Sequence, residues 1–270
     1  MSAGGEPAVA GGAVAPNKII AFGILGGLIG IYAAHFLDSM ISPVFSFMGA
    51  LGAICAIVWG ADAVRRVCSY GLGTGVPSIG MLALGMGVVA SMFGLAVGGI
   101  AGPIIAFVSA AIIGLIIGVL ANKVLGMNIP IMEQSMVEIA GAGALTIVGL
   151  STTMAGTFMF EEVLTFVIAP GYIAVIFIAG GMGILHPFNA CLGPDEHQDR
   201  TLMVGFEKGG IAMVIAGLVS AVAGSVAMLP TIMIGVFIWY TSFAKFYELT
   251  KRDSYKILGS GLLPTEEELQ

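Results

Sequence analysis

The chain has 270 residues, of which 58% are hydrophobic and only 10% are charged, and its mean hydropathy is +1.04. A soluble domain carries roughly 25% charged residues, so this composition excludes a soluble enzyme, a secreted disulfide scaffold and a disordered tail. The formal net charge of −6 leaves no basic surface suited to nucleic acid. The sequence predicts an all-α polytopic integral membrane protein.

Charged residues are rare enough to mark the ends of the membrane spans. No charge occurs from Val67 to Asn122, which as one helix would be about 84 Å long against a hydrocarbon core of about 30 Å. The run must therefore turn back, and the whole pattern predicts about eight transmembrane helices, with six or seven also compatible. Their approximate bounds are 19–37, 44–61, 79–98, 103–121, 135–155, 163–185, 209–228 and 230–247. Pro170 and Gly171 fall inside the sixth span, so that helix is kinked, broken or begins later.

The distribution of charge also predicts the orientation of the chain. With eight spans, all ten Lys and Arg residues fall on one side, and the opposite loops hold Asp38, Glu161 and Glu162. Cytoplasmic loops retain Lys and Arg, so we expect both termini in the cytoplasm. The chain then divides into a flexible leader at 1–17, a transmembrane domain at 18–248 and a cytoplasmic acidic tail at 249–270. Similar loops near residues 71–75 and 189–195 allow an internal duplication.

Glycines with GxxxG spacing indicate where helices approach closely. Such spacing forms a flat face that lets two backbones meet inside a membrane. The pairs are Gly26 with Gly30, Gly94 with Gly98, Gly98 with Gly102, and Gly114 with Gly118. Two alternatives are open at this point: the glycine faces pack within one bundle, or they dock helices of other subunits.

Carboxylates near the span ends are the candidate functional groups. Glu138 lies near the start of the fifth span, Glu161 lies at the other end of that span, and Asp38 follows His35 at the end of the first. Ionisable groups at membrane depth are functional candidates, and a hard cation prefers oxygen ligands. We therefore predict Glu138, Glu161 and Asp38 along a Na⁺ path, with hydroxyls at 151–153 beside Glu161. The alternative is that they are interfacial carboxylates without a transport role.

Other polar motifs do not indicate chemistry. The glycine-rich segment 71–75 lacks the Lys-Ser/Thr of a phosphate-binding loop. The polar loop expected at 186–208 favours contact with a cytoplasmic partner over a metal site. Cys55, Cys68 and Cys191 are scattered and are expected in the core. We expect no catalytic centre and no bound cofactor in this chain alone.

Two segments resemble a known family. Residues 58–81 read VWGADAVRRVCSYGLGTGVPSIGM, and residues 188–197 read FNACLGPDEH. Both resemble the C subunit (MtrC) of the archaeal tetrahydromethanopterin S-methyltransferase, and the resemblance covers nearly the whole chain, including the leader and the acidic tail.

The resemblance implies a membrane component of a methanogen complex that is a methyltransferase and a translocase. Such a complex moves a methyl group from N5-methyl-tetrahydromethanopterin to coenzyme M through a corrinoid, and it couples this step to outward pumping of Na⁺. The implied partners are the membrane subunits D and E and the corrinoid-binding A subunit, which places the corrinoid outside this chain. No family motif assigns Na⁺ ligands here. A self-sufficient secondary transporter and a passive scaffold of the same complex remain as alternatives.

Overall fold

The computed structural model describes residues 14–70, 76–191, 197–222 and 224–254, and these form helices and turns without a strand. The helices are α1 (Pro16–Met40), α2 (Phe47–Cys68), α3 (Val76–Gly98), α4 (Gly102–Val119), α5 (Met132–Ala155), α6 (Phe160–Val163), α7 (Tyr172–Cys191), α8 (Gln198–Val222) and α9 (Met228–Ser254). Two π-helical turns, Leu120–Val124 and Leu164–Ile168, extend α4 and α6. Most of the leader, most of the acidic tail and the glycine-rich segment 71–75 lie outside the described residues.

Six segments of the described chain are long and apolar enough to cross a membrane, or seven when a bent pair counts as one span. One of the six, Ser78–Val124, contains both α3 and α4. These two helices pack side by side as a hairpin, because the backbones meet where Gly94 of α3 lies against Ala106 of α4. The prediction of an all-helical protein with six to eight spans is confirmed.

The predicted break in the sixth span is present. The segment Phe160–Ile168 meets Tyr172–His186 at an angle of 89°. Gly171 between them has φ +84°, a conformation that glycine adopts without the steric cost of a side chain. Helix α7 therefore begins after the break, and the short α6 lies across its start.

The polar segment expected as a loop at 186–208 is mostly helical, and this prediction was wrong. Helix α7 continues to Cys191 and α8 already begins at Gln198. Charge marks where a helix leaves the hydrocarbon core, whereas the backbone hydrogen bonds continue beyond that level. Glu207 and Lys208, for example, are charged and still lie within helix α8, where they form an ion pair of 2.9 Å.

The GxxxG glycines pack inside this chain. A Cβ atom at Gly30 of α1 would lie 2.6 Å from Cα of Gly52 in α2, and one at Gly118 of α4 would lie 2.7 Å from Cα of Glu133 in α5. Gly94, Gly98, Gly102 and Gly114 likewise meet other helices of the chain. Of the two alternatives, internal packing accounts for these pairs.

The described charges separate the bundle into two ends. At one end, which we call the basic end, Val14 bonds to Gln198 and Arg252 lies 3.8 Å from Asp199. The first and last helices therefore reach the same end. The opposite, acidic end carries Asp38, Glu161 and Glu162. Helix α5 runs between the two ends through the middle of the bundle, with 94% of its most apolar stretch buried.

Candidate functional site

Three charged residues occupy one face of α2 near the basic end. Asp62, Arg65 and Arg66 have i, i+3 and i+4 spacing, which places their side chains on neighbouring positions of a helix surface. The carboxylate of Asp62 accepts from Arg65 at 2.9 Å and from Nε of Arg66 at 2.9 Å. Asp62 is fully buried, so its charge depends on these two guanidinium groups.

Glu138 of α5 completes this group. Its Oε2 atom accepts hydrogen bonds from the indole of Trp59, at 2.8 Å, and from the guanidinium of Arg66. Its Oε1 atom accepts from the amide of Gln134 at 2.8 Å. Gln134 and Glu138 are one helical turn apart on α5, as Trp59 and Asp62 are on α2. We call these residues, with Arg65 and Gln198, the ion-pair network.

Arg66 connects the two carboxylates of the network. Its side chain is 13% exposed, against 0% for Asp62 and 5% for Glu138. Two carboxylates and two guanidinium groups give a net charge of zero, which limits the cost of removing them from water. When one member of a buried ion pair is removed, the other becomes an uncompensated charge, at a cost of about 3–5 kcal/mol. Arg66 and Glu138 therefore each depend on the other for neutralisation of a buried charge.

The network also reaches the N-terminal end of the described chain. Gln198 donates to Asp62 at 3.2 Å through the same amide nitrogen that donates to the carbonyl of Val14 at 3.0 Å. Its side-chain oxygen accepts from the backbone N–H of Val14 at 2.8 Å. The start of α8 thus links the entry of the chain into the bundle with the buried carboxylate on α2.

The acidic end holds a second polar group. His35 of α1 shares a hydrogen bond of 2.8 Å with the hydroxyl of Thr157, and its ring packs against Phe158 with centroids 4.3 Å apart. The half-buried Asp38 lies beside Gly156, where α5 ends in a left-handed turn with φ +74°. Glu161 is exposed in the first turn of α6.

The three carboxylates predicted along a Na⁺ path therefore do not form one cluster. Glu138 belongs to the ion-pair network at the basic end, whereas Asp38 and Glu161 lie at the acidic end. Eighteen residues of α5 separate Glu138 from Gly156, or about 27 Å at 1.5 Å per residue. Within the described residues, no group of three or more His, Cys, Asp or Glu side chains could hold a metal ion.

The three hydroxyls predicted beside Glu161, at residues 151–153, differ in whether they have a hydrogen-bond partner. Thr152 donates to the carbonyl of Val148 at 2.7 Å, and Thr153 donates to that of Ser46 at 2.9 Å. The buried hydroxyl of Ser151 has no hydrogen-bond partner in the part of the chain that the structure describes. A buried hydroxyl without a partner is unusual in a protein interior, and Ser151 lies in the last two turns of α5.

Of the seven residues of the network, the sequence predicted only Glu138 as a functional residue. Arg65 and Arg66 served there as markers of orientation, and the second span was predicted to end at residue 61, which left Asp62 outside the membrane. The i, i+3, i+4 spacing of three charges directly after an apolar run was the available signal. Their pairing with Glu138 is a tertiary contact between α2 and α5, which no local pattern contains.

Comparison with known proteins agrees with the resemblance of the two sequence segments. Residues 1–267 match the MtrC family model, described as the C subunit of tetrahydromethanopterin S-methyltransferase. The chain is 63% identical over 271 residues to the corresponding protein of Methanosarcina barkeri, with both chains fully covered. It is 44% identical over 272 residues to that of Methanothermobacter thermautotrophicus, with 99% of each chain covered. The chain belongs to the MtrC family, the C subunits of the tetrahydromethanopterin S-methyltransferases.

Proposed function

We propose that this chain forms part of the Na⁺ route in a complex that transfers a methyl group from N5-methyl-tetrahydromethanopterin to coenzyme M. The corrinoid that carries the methyl group belongs to the A subunit, and subunits D and E are the neighbouring membrane partners. The observation that carries the proposal is Glu138, a carboxylate buried on the central helix of a membrane bundle. In this arrangement the basic end faces the cytoplasm, in accord with the retention of Lys and Arg there.

Arg66 supplies a mechanism for admitting a cation. In the closed arrangement its guanidinium neutralises Glu138, so no further positive charge is attracted there. Because Nε of Arg66 already contacts Asp62 at 2.9 Å, a small side-chain rotation can transfer the whole guanidinium to Asp62. Glu138 then keeps the donors of Trp59 and Gln134 and carries a charge that one Na⁺ neutralises.

Arg65 completes the charge balance of this exchange. Its side chain is 18% exposed, more than that of any other charged member of the network. When Arg66 moves to Asp62, Arg65 is free to turn toward water without leaving a buried charge unpaired. The open state then contains two neutral pairs, Asp62 with Arg66 and Glu138 with Na⁺.

The acidic end supplies the exit in this proposal. Asp38, Glu161 and Glu162 lie there, and the basic residues of the described chain gather at the other end. The negative potential of these carboxylates attracts a cation from the network toward this end. Each carboxylate binds the cation only weakly, so it leaves the bundle in small steps. The network and the acidic end are about 27 Å apart, comparable to the hydrocarbon core of about 30 Å.

A passive scaffold is the second candidate, and a specific observation favours it. Both carboxylate oxygens of Glu138 already have donors from this chain, as expected for a purely structural network. In that case Na⁺ passes through a different component of the complex. A self-sufficient transporter is distinguished by purification, since it would work without the other subunits.

The deciding experiment measures Na⁺ uptake and corrinoid methylation in sealed vesicles that contain the intact complex. The variant combines Glu138→Gln with Arg66→Gln, which removes the buried pair without leaving an unpaired charge. We expect Na⁺ uptake to fall about tenfold or more, since loss of a charged ligand costs roughly 1.5–3 kcal/mol, while the corrinoid is still methylated. The matched control is Glu133→Gln, the same change on α5 at a residue paired near the surface with Lys123.

The Na⁺ uptake of these variants distinguishes a Na⁺ route from a scaffold. Normal Na⁺ uptake in the double variant, with normal assembly, means that the network is structural and that the chain is a scaffold. If uptake fails in the Glu133→Gln control as well, the loss reflects damage to α5 rather than loss of a ligand.

A further inference from the structure

An elongated groove lies between α7 and α8, away from the ion-pair network. It encloses about 400 Å³, which is within the range of small-molecule binding sites. Its walls are apolar, and the described lining includes two polar residues at one end. The wall residues Val175, Ile178, Met182 and Ile215 lead to His186 and Lys208.

The groove has the depth of one membrane leaflet. Val175 and His186 are eleven residues apart on α7, or about 16 Å, and half of the hydrocarbon core is about 15 Å. Ile178 is 64% exposed and Met182 is 51% exposed, so the groove opens on the outer surface of the bundle. On α8, Lys208 is the last charged residue before the apolar run 209–222, so the polar end of the groove lies at the border of that run, on the side of the basic end.

The polar end of the groove is suited to an anion. The ammonium of Lys208 has three hydrogen-bond donors, of which the carboxylate of Glu207 takes one at 2.9 Å. The Lys208 side chain is 23% exposed and borders the groove. A lysine at this depth extends its charged end toward the headgroup region, where a phosphate would meet it together with the ring of His186.

We propose that the α7–α8 groove binds one polar lipid with a phosphate headgroup. One lipid chain lies along the apolar walls, and the phosphate is held by Lys208 and His186. The two remaining donors of Lys208 and the ring of His186 favour this occupant over a helix of another protein in the complex. Helices associate in membranes through small residues, whereas the open wall of this groove is lined by Ile, Val and Met and ends in these polar groups.

The test uses two photoreactive lipids in vesicles that contain the intact complex. Both are dialkyl glycerol lipids with a diazirine in one chain; one has a phosphate headgroup and the other a neutral hydroxyl headgroup. Labelled residues are identified by mass spectrometry of peptides. We expect the phosphate lipid to label Ile178 and Met182 severalfold more than the neutral lipid. Met233 of α9, which is 63% exposed, should be labelled equally by both.

Variants at the polar end separate charge from folding. Lys208→Arg should keep the preference for the phosphate lipid, because it preserves the cation. The double variant Glu207→Gln with Lys208→Gln removes a buried pair without leaving an unpaired charge, and it should abolish the preference. Equal labelling of Ile178 by both lipids in the natural sequence would overturn the proposal, since the groove would then hold only bulk lipid. Labelling of Met233 by both lipids, with no labelling of Ile178 or Met182 by either, would overturn it in favour of a protein occupant that keeps lipid out of the groove.

Discussion

Helices α5 and α9 are similar in length and mean hydropathy, yet they have opposite surroundings. The most apolar stretch of α5 is 94% buried within the chain, whereas that of α9 is 11% buried. Helix α5 contacts most of the other helices, and α9 packs chiefly on α8. Hydropathy therefore identifies a membrane helix but does not distinguish a lipid neighbour from a protein neighbour.

The side chains of the two helices account for the difference. Helix α5 carries the small residues of segment 140–144, which allow neighbouring backbones to approach closely. Helix α9 presents large exposed side chains instead, including Phe237 at 67% and Tyr240 at 64% exposure. Because Glu138 of α5 is only 4% exposed, its charge must be neutralised inside the bundle, and the ion-pair network does this.

The largest expected effect comes from leaving a charge of the network unpaired. Arg66→Gln removes the cation between Asp62 and Glu138, and we expect the free energy of unfolding to fall by about 3–5 kcal/mol. Adding Glu138→Gln should restore most of the loss. Lys245→Gln on α9, where Lys245 forms an exposed pair with Glu248, should cost about 1 kcal/mol or less. Thermal unfolding of the full chain in detergent, followed by loss of helical circular dichroism, measures all three.

This series addresses the contrast between α5 and α9 directly. If the double variant is as unstable as Arg66→Gln alone, Arg66 does not stabilise Glu138. The network would then not be what neutralises the buried charge on α5. If Lys245→Gln destabilises as much as Arg66→Gln, the two helices do not differ in the way their burial indicates.

The sequence was sufficient to predict the membrane spans but not their mutual arrangement. A hydrocarbon core about 30 Å thick excludes charge, so gaps between charges locate most of the spans within a few residues. The seventh, predicted at 209–228, is instead α8 at Gln198–Val222. The same reasoning placed the end of the second span at residue 61, although α2 continues to Cys68. Helices do not end where charge begins, provided that the charges find partners, as Asp62 does.

The candidate site illustrates the same limit. Glu138 was singled out by its depth in the membrane, and the structure places it among buried partners. Asp38 and Glu161 were grouped with it because all three are membrane carboxylates, yet they lie at the other end of the bundle. Distances along the chain do not determine which side chains meet when the helices of a bundle can pack in many orders.

A smaller effect is expected from overpacking a helix crossing. A methyl group at Gly30 would lie 2.6 Å from the backbone of Gly52, so Gly30→Ala forces α1 and α2 apart and should cost about 1–3 kcal/mol. At Gly85 of α3, no described atom beyond its chain neighbours and the nearby backbone of its own helix lies within 4 Å of such a methyl group. Gly85→Ala should instead be neutral or stabilise by up to about 1 kcal/mol, because alanine favours the helix. The difference in unfolding midpoint between the two variants is the measurement, and equal midpoints would contradict close packing at Gly30.

The smallest effect is expected on the open face of α9. Phe237→Ala removes a large ring, but lipid tails are as apolar as the ring they replace, so the free energy of unfolding should change by about 0.5 kcal/mol or less in the chain alone. Thermal unfolding of the purified chain and of the intact complex gives the comparison. A loss confined to the complex would show that another protein of the complex covers this face. A loss in the chain alone would mean that α9 is as dependent on internal packing as α5, which its 11% burial argues against.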